Sequence, residues 1–184
     1  MITCVINCRI HKNIMVKISR KFQVSPEVLT ASIDDNMAKI VQEQIVGSCS
    51  ETNGYIIEAC NIISRNALVS EANGLVDIAV DFDAECVKPE IGSNYSGRVC
   101  LVFDMGVLID IAGVLKVLIP ITDQTCIVDG TPRNAVYNPL MNTLTVSTTK
   151  PLTIEKDMII RVQVSGVQYN AETSSFNCFG NLKE

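Results

Sequence analysis

The stretch Gly92-Ser-Asn-Tyr-Ser-Gly97-Arg-Val-Cys-Leu-Val-Phe103-Asp-Met-Gly106-Val-Leu-Ile-Asp-Ile111, followed after two residues by Val114-Leu-Lys-Val-Leu-Ile-Pro120, decides the fold. It reads as three short strands, 96–103, 107–112 and 114–121. Asp104-Met105-Gly106 makes the tight turn between the first two, and Pro120, which has no N–H to donate, closes the third. Working outward, apolar runs at 142–148 and 158–167 and a last run near 174–180 continue the β pattern. Between the third strand and the later ones lies a long excursion, 122–157, punctuated by Asp129-Gly130, Pro132, Asn138-Pro139 and Lys150-Pro151. Upstream, Lys88-Pro89-Glu90-Ile91-Gly92 reads as a boundary, which predicts two domains, 1–88 and 89–184, with 122–157 as an insertion in the second.

Five short strands with one long connection suit a small Greek-key barrel of the OB type. The first half differs. Ile2, Cys4, Ile6 and Cys8, then Ile14, Val16 and Ile18, alternate at the strand period. Ser25-Pro26-Glu27 reads as an N-cap, a first-turn proline and a first-turn acid. Leu29, Ile33, Met37, Ile40, Val41 and Ile45 follow at steps of three and four, which predicts an amphipathic helix of about five turns ended by Gly47. Asn53-Gly54 is a hairpin signal. Residues 55–63 read as a buried strand, 64–74 as a loop holding Leu68 and Val69, and Leu75–Val87 as a strand with Asp77, Asp81 and Asp83 on one face. The predicted class is α+β, mostly β: strands plus one amphipathic helix, then an OB-type barrel.

Composition narrows the function. Hydrophobic residues are 47% of the 184, charged residues 19% and mean hydropathy +0.27, which excludes a disordered chain. No apolar run approaches the roughly 18 residues that span a bilayer, so no membrane partner is expected. The net charge is −5, with acids outnumbering bases on both sides of Pro89, and a broad basic nucleic-acid surface is thereby disfavoured. The eight cysteines show no CxxC spacing. Met1 opens on a strand-like segment rather than a secretory leader, so the expectation is reduced thiols, mostly buried, in a reducing, intracellular compartment. His11 is the only histidine, and it reads as an exposed strand-end residue rather than a general base. Asp81 and Asp83 read as a solvated face. No phosphate-loop, dinucleotide or nucleophile-elbow motif occurs, and no catalytic residue, cofactor or metal is assigned.

The Gly92–Pro120 stretch resembles the OB-fold RNA-binding repeat of a bacterial small-subunit ribosomal protein. What flanks it is more specific. The Pro26-started helix, Gly47-Ser-Cys-Ser-Glu-Thr-Asn-Gly54-Tyr-Ile-Ile, the segment Arg65–Gly74 and the long strand to Pro89 precede it. Lys156-Asp157-Met158-Ile-Ile-Arg161-Val-Gln-Val-Ser-Gly166 and Asn177-Cys-Phe-Gly180-Asn-Leu182 follow it as two closing strands. This order, over nearly the whole chain, resembles the seventh-subunit (stalk) family of eukaryotic RNA polymerase II and its archaeal RNA polymerase counterpart; a large-DNA-virus version fits equally.

That resemblance implies a non-catalytic stalk subunit in a heteromultimeric, nucleotidyl-transferring complex. Its truncated RNP-like tip would dock on the large and small subunits of the polymerase core, near the clamp. It would hold a smaller stalk partner and lie near nascent RNA, in the nucleus if cellular or at a virion or cytoplasmic replication site if viral. By position, the core-docking residues are Ser48, Glu51 and Asn53 in one loop and Asn66, Leu68, Val69, Glu71 and Asn73 in a second. RNA-contact candidates are Tyr95, Arg98, Phe103, Lys116, Lys156, Arg161 and Tyr169. The sequence departs from the family where an aromatic usually follows the glycine turn: Val107 and Leu108 stand there. RNA contact is therefore expected to be weak and salt-sensitive. Two other readings stay open: a free-standing OB-fold RNA-binding protein, and an enzyme using a low-pKa thiol.

Overall fold

The computed structural model describes residues 14–28, 33–69, 74–148 and 150–184. The alternating segment 2–8, with Cys4 and Cys8, and His11, Leu29, Glu71 and Asn73 lie outside the described residues. The chain divides into two compact units that part between Lys88 and Pro89.

In the unit before Pro89, β1 (Ile14–Val24), β2 (Cys49–Ser50), β3 (Gly54–Val69) and β4 (Val76–Val87) form an antiparallel sheet in the order β1-β4-β3-β2. Strict alternation in β4 sets its two faces. Val76, Ile78, Val80, Phe82, Ala84 and Cys86 are buried against Met37, Val41 and Ile45 of helix α1 (Ile33–Ile45). Asp77, Asp81 and Asp83 turn to the other side. One helix face on one sheet face is the least arrangement that hides both apolar stripes.

Two sequence expectations need correction here. The predicted five-turn helix does not start as α-helix at Pro26: Pro26–Val28 is a 3-10 turn, and the described α-helix covers Ile33–Ile45. The Ser25 hydroxyl accepts from the Glu27 N–H at 3.4 Å, a contact that closes one tight turn only. Residues 64–69 are not loop. β3 continues to Val69, paired with β4 from Ser64↔Asp81 to Val69↔Val76. Asn66 and Ala67 have weak strand preference, and the long partner strand overrides it.

In the unit after Pro89, β5 (Asn94–Phe103), β6 (Gly106–Ile111) and β7 (Leu115–Pro120) are the three strands of the deciding stretch. β12 (Ile159–Asn170) pairs with β5, β13 (Ser175–Lys183) pairs with β12, and β13 also pairs in parallel with β7. The pairings therefore run β5–β6–β7–β13–β12 and back to β5, the strand order expected of an OB-type Greek key. Inside lie Val99, Ile109, Ile111, Leu115, Val117 and Val162, all fully buried. Removing one such side chain costs about 2–5 kcal/mol.

The excursion is not an unstructured connection. It carries β8 (Thr125–Val128), β9 (Thr131–Asn138), β10 (Thr143–Val146) and β11 (Leu152–Ile154), which extend the sheet from β13 in the order β8-β9-β10-β11. Cys126, Val128, Ala135, Leu144, Val146 and Ile154 give these strands their own buried side.

Candidate functional site

The first candidate surface is the hairpin after α1. Gly47 takes φ +85°, which ends the helix, and its N–H reaches the Ile56 carbonyl at 2.8 Å. Ser48 caps the helix end: its N–H and hydroxyl both donate to the Ile45 carbonyl, at 3.0 and 2.6 Å. The Asn53 N–H donates to the Ser50 hydroxyl at 3.1 Å, and the Lys88 ammonium to the Thr52 carbonyl at 3.1 Å. The turn is thus fixed by its own polar groups and by Lys88, with Glu51 exposed upon it. Ser48 and Asn53 line a cavity of ≈200 Å³ together with Ile18 and Arg20 of β1.

The second set of docking candidates lies elsewhere. Asn66 is exposed on β3 opposite Ala79, and Leu68 and Val69 follow it on the same strand. Tyr55 stands opposite Val87, so the two sets are separated by roughly 25–30 Å along β4 at the usual strand rise. The structure does not gather Ser48, Glu51, Asn53 and Asn66 into one site.

The second candidate surface is the outer side of the closed strand ring. Register sets Ile159, Arg98, Asp110 and Lys116 in one row across β12, β5, β6 and β7. Arg98 and Lys116 are exposed, with Asp110 between them; its Oδ1 is shielded and has no hydrogen-bond partner. The Cys100 thiol lies in the same field. Burial first, then the Asp110 and Asp157 charges, push its pKa up, against the pull of Lys116 and Arg98. The basic row is therefore largely neutralised where it stands. Arg161 is exposed beside Ser96 and Lys183 in register. Lys156 is exposed between Glu155 and Asp157 in the turn before β12.

The aromatic candidates do not join this row. Tyr95 is only 5% exposed and faces inward with Val99, so it offers no ring face to a base; this corrects its assignment as a stacking residue. Phe103 is half-buried at the end of β5. Tyr169 sits at the far end of β12, its ring 5.1 Å from that of Phe176 and tilted by 59°.

Thiol chemistry is disfavoured. The described cysteines are Cys49, Cys60, Cys86, Cys100, Cys126 and Cys178, and of these Cys86, Cys126 and Cys178 are buried. Burial pushes Cys49 up to about 11 and raises Cys60, Cys86, Cys100 and Cys126, opposite to what a nucleophilic thiol needs. Cys49, Cys60 and Cys100 are only partly buried, so the expectation of mostly buried thiols holds for half of these six. Among the described residues no polar or charged side chain is fully buried, and no three His, Cys, Asp or Glu gather as metal ligands. No helix among them is long and apolar enough to cross a membrane.

Sequence reasoning missed the excursion's surface. At the β9–β10 turn, Leu140 is 93% and Met141 72% exposed. The turn is braced by the Tyr137 hydroxyl to Asn142 Oδ1 at 2.8 Å and the Leu140 N–H to Asn138 Oδ1 at 3.0 Å. Two large apolar residues flanked by Asn138-Pro139 and Asn142 are a signal that turn chemistry alone would have given.

Fold and surfaces together define a mostly β protein of two compact units. No family model matches the chain. Over 170 residues it is 22% identical to DNA-directed RNA polymerase II subunit RPB7 of Glycine max, covering 92% of this chain and 91% of that protein. It is likewise 22% identical to DNA-directed RNA polymerase II subunit 7 of Arabidopsis thaliana, with the same coverage. These similarities support the seventh-subunit family that the sequence resembles.

Proposed function

We propose that the chain is a non-catalytic accessory subunit of a multisubunit DNA-directed RNA polymerase. The observation that carries this is coverage: the similarity to polymerase II subunit 7 takes in 92% of the chain, and so draws on both compact units. A free-standing OB-fold RNA-binding protein would share the second unit alone, so that alternative is not favoured. The unit before Pro89 docks on the core subunits through the braced Ser48–Asn53 hairpin and, at the other end of β3, through Asn66 and the residues after it. The unit after Pro89 lies near nascent RNA and touches it through Arg98 and Lys116. With Asp110 between them, that contact is weak and falls steeply with salt. A smaller stalk subunit is the expected partner, and the nucleus the expected location in a eukaryotic cell.

Native capture of the tagged chain followed by mass spectrometry tests the reading. Recovery of the large polymerase subunits is the expected result. A chain recovered alone, as a monomer that retains RNA on a filter, would replace this function with the free-standing one.

A further inference from the structure

A cavity of ≈510 Å³ opens on the unit after Pro89, between the Thr148–Leu152 side and the start of β12 with the end of β13. Its volume is that of an ordinary ligand site. Leu152, Met158, Ile159 and Leu182 supply an apolar lining, and Ile159 is 53% exposed. The rim carries Lys150, Arg161 and Lys183. Lys183 is already paired with Asp129 at 3.2 Å, and Arg161 acts on the same carboxylate from further off; Lys150 and Arg161 are both exposed. Glu184 is the one acid that lines the cavity.

We propose that this cleft binds a short acidic and apolar peptide segment of a partner protein, apolar side chains seated on Leu152, Met158 and Ile159 and carboxylates held by Lys150 and Arg161. Charge complementarity selects the acid: two exposed cations, Lys150 and Arg161, stand at the edge of an apolar floor that only one acid lines. The guanidinium of Arg161 can grip a carboxylate with two parallel N–H groups. The lining selects peptide over nucleic acid. Single-stranded nucleic acid gains affinity at each base by stacking on aromatic faces, and no aromatic side chain lines the cleft to supply it. The site does not involve the Ser48–Asn53 hairpin; it adjoins the Arg98–Lys116 row at Ile159 and takes in Arg161, so competition with RNA is what separates it from the RNA contact proposed above.

The probe is a short fluorescein-labelled peptide of alternating aspartate and leucine, read by fluorescence anisotropy against the full chain. Saturable binding is expected, weakened roughly tenfold by Arg161→Gln and further by Lys150→Gln, each loss being what one charged hydrogen bond contributes. Ile159→Ser weakens it as well, and Lys21→Gln in the other unit leaves it unchanged. All four positions are exposed, so circular dichroism should show an intact fold. Three results would overturn the proposal: no saturable binding; equal affinity for a lysine and leucine peptide, which marks mere apolar adhesion; or displacement of the peptide by oligouridylate, which makes the cleft a nucleic-acid site.

Discussion

Ser48 shows how a residue placed at a docking position can hold its own fold. Two of its groups satisfy the Ile45 carbonyl that the end of α1 leaves open. Ser48→Ala should therefore lower stability by about 1 kcal/mol in a urea titration, while Glu51→Ala three residues on, exposed, should stay within about 0.5 kcal/mol. Equal effects would remove the capping role. Cys49 behaves differently. With its pKa pushed up to about 11 by burial, it is protonated at pH 8, and iodoacetamide should label it far more slowly in the native chain than after denaturation. Fast native labelling would revive the thiol-enzyme reading. Tyr95 marks what went unread at this scale. Its parity with Val99 was visible in the sequence, but choosing which parity faces inward needed the ring of partner strands.

Elements were legible where burial is one-sided. β4 was read almost whole, because Val76 to Cys86 alternate with acids and only one face can be the core. β9 was not read: Thr-Pro-Arg-Asn-Ala-Val-Tyr-Asn buries only Ala135 fully and holds its place by pairing with β8 and β10. The helix start is misplaced because Ser25-Pro26-Glu27 has the chemistry of an α-helix start and instead opens a three-residue 3-10 turn. β13 shows how tightly such elements meet. A Cβ on Gly180 would lie 2.3 Å from Val162 Cγ2 and 2.8 Å from Val117 Cγ1, on stiff branched side chains of both neighbouring strands. Gly180→Ala should lower stability by about 1–3 kcal/mol. Gly166→Ala, whose Cβ would stand 3.5 Å from Phe179, should change it little; similar urea midpoints for the two would contradict the packing. Across the first sheet, hydrogen bonds from Ser19 and Ser64 hold the Asp81 carboxyl below the usual carboxylate range. A depressed folded-state pKa gives stability that is present above the unfolded value near 4 and is lost as pH falls through the folded one. Asp81→Asn should thus be less stable than the parent at pH 7, and the gap should close in strong acid. A gap independent of pH would assign the loss to packing.

On the scale of the molecule, the separation along β3 governs how docking is tested. Glu51 and Asn66 share no partner and stand too far apart to couple directly. Glu51→Lys and Asn66→Arg should each weaken recovery of polymerase subunits, and together their effects on binding free energy should add. If neither single variant changes recovery, docking lies on another surface. The Pro89 region interrupts every period around it, and the two compact units part there. Within the excursion the run at 142–148 was readable and is β10, whereas β8, β9 and β11, short or polar segments, become strands only in the sheet that β13 starts.

The place of β13 has a further consequence, for synthesis. Ser175–Lys183 comes last among the strands of this unit, yet it sits between β12 and β7 and is where β8 joins. While the ribosome is still making these residues, β7 and β8 have emerged without their neighbour, and their apolar faces have nothing to close against. The second unit cannot complete itself progressively; it must wait for its final strand and then close at once. A chain stalled before Ser175 would thus present an open, sticky edge to chaperones and proteases, so quality control would meet this unit chiefly in the moments before β13 arrives.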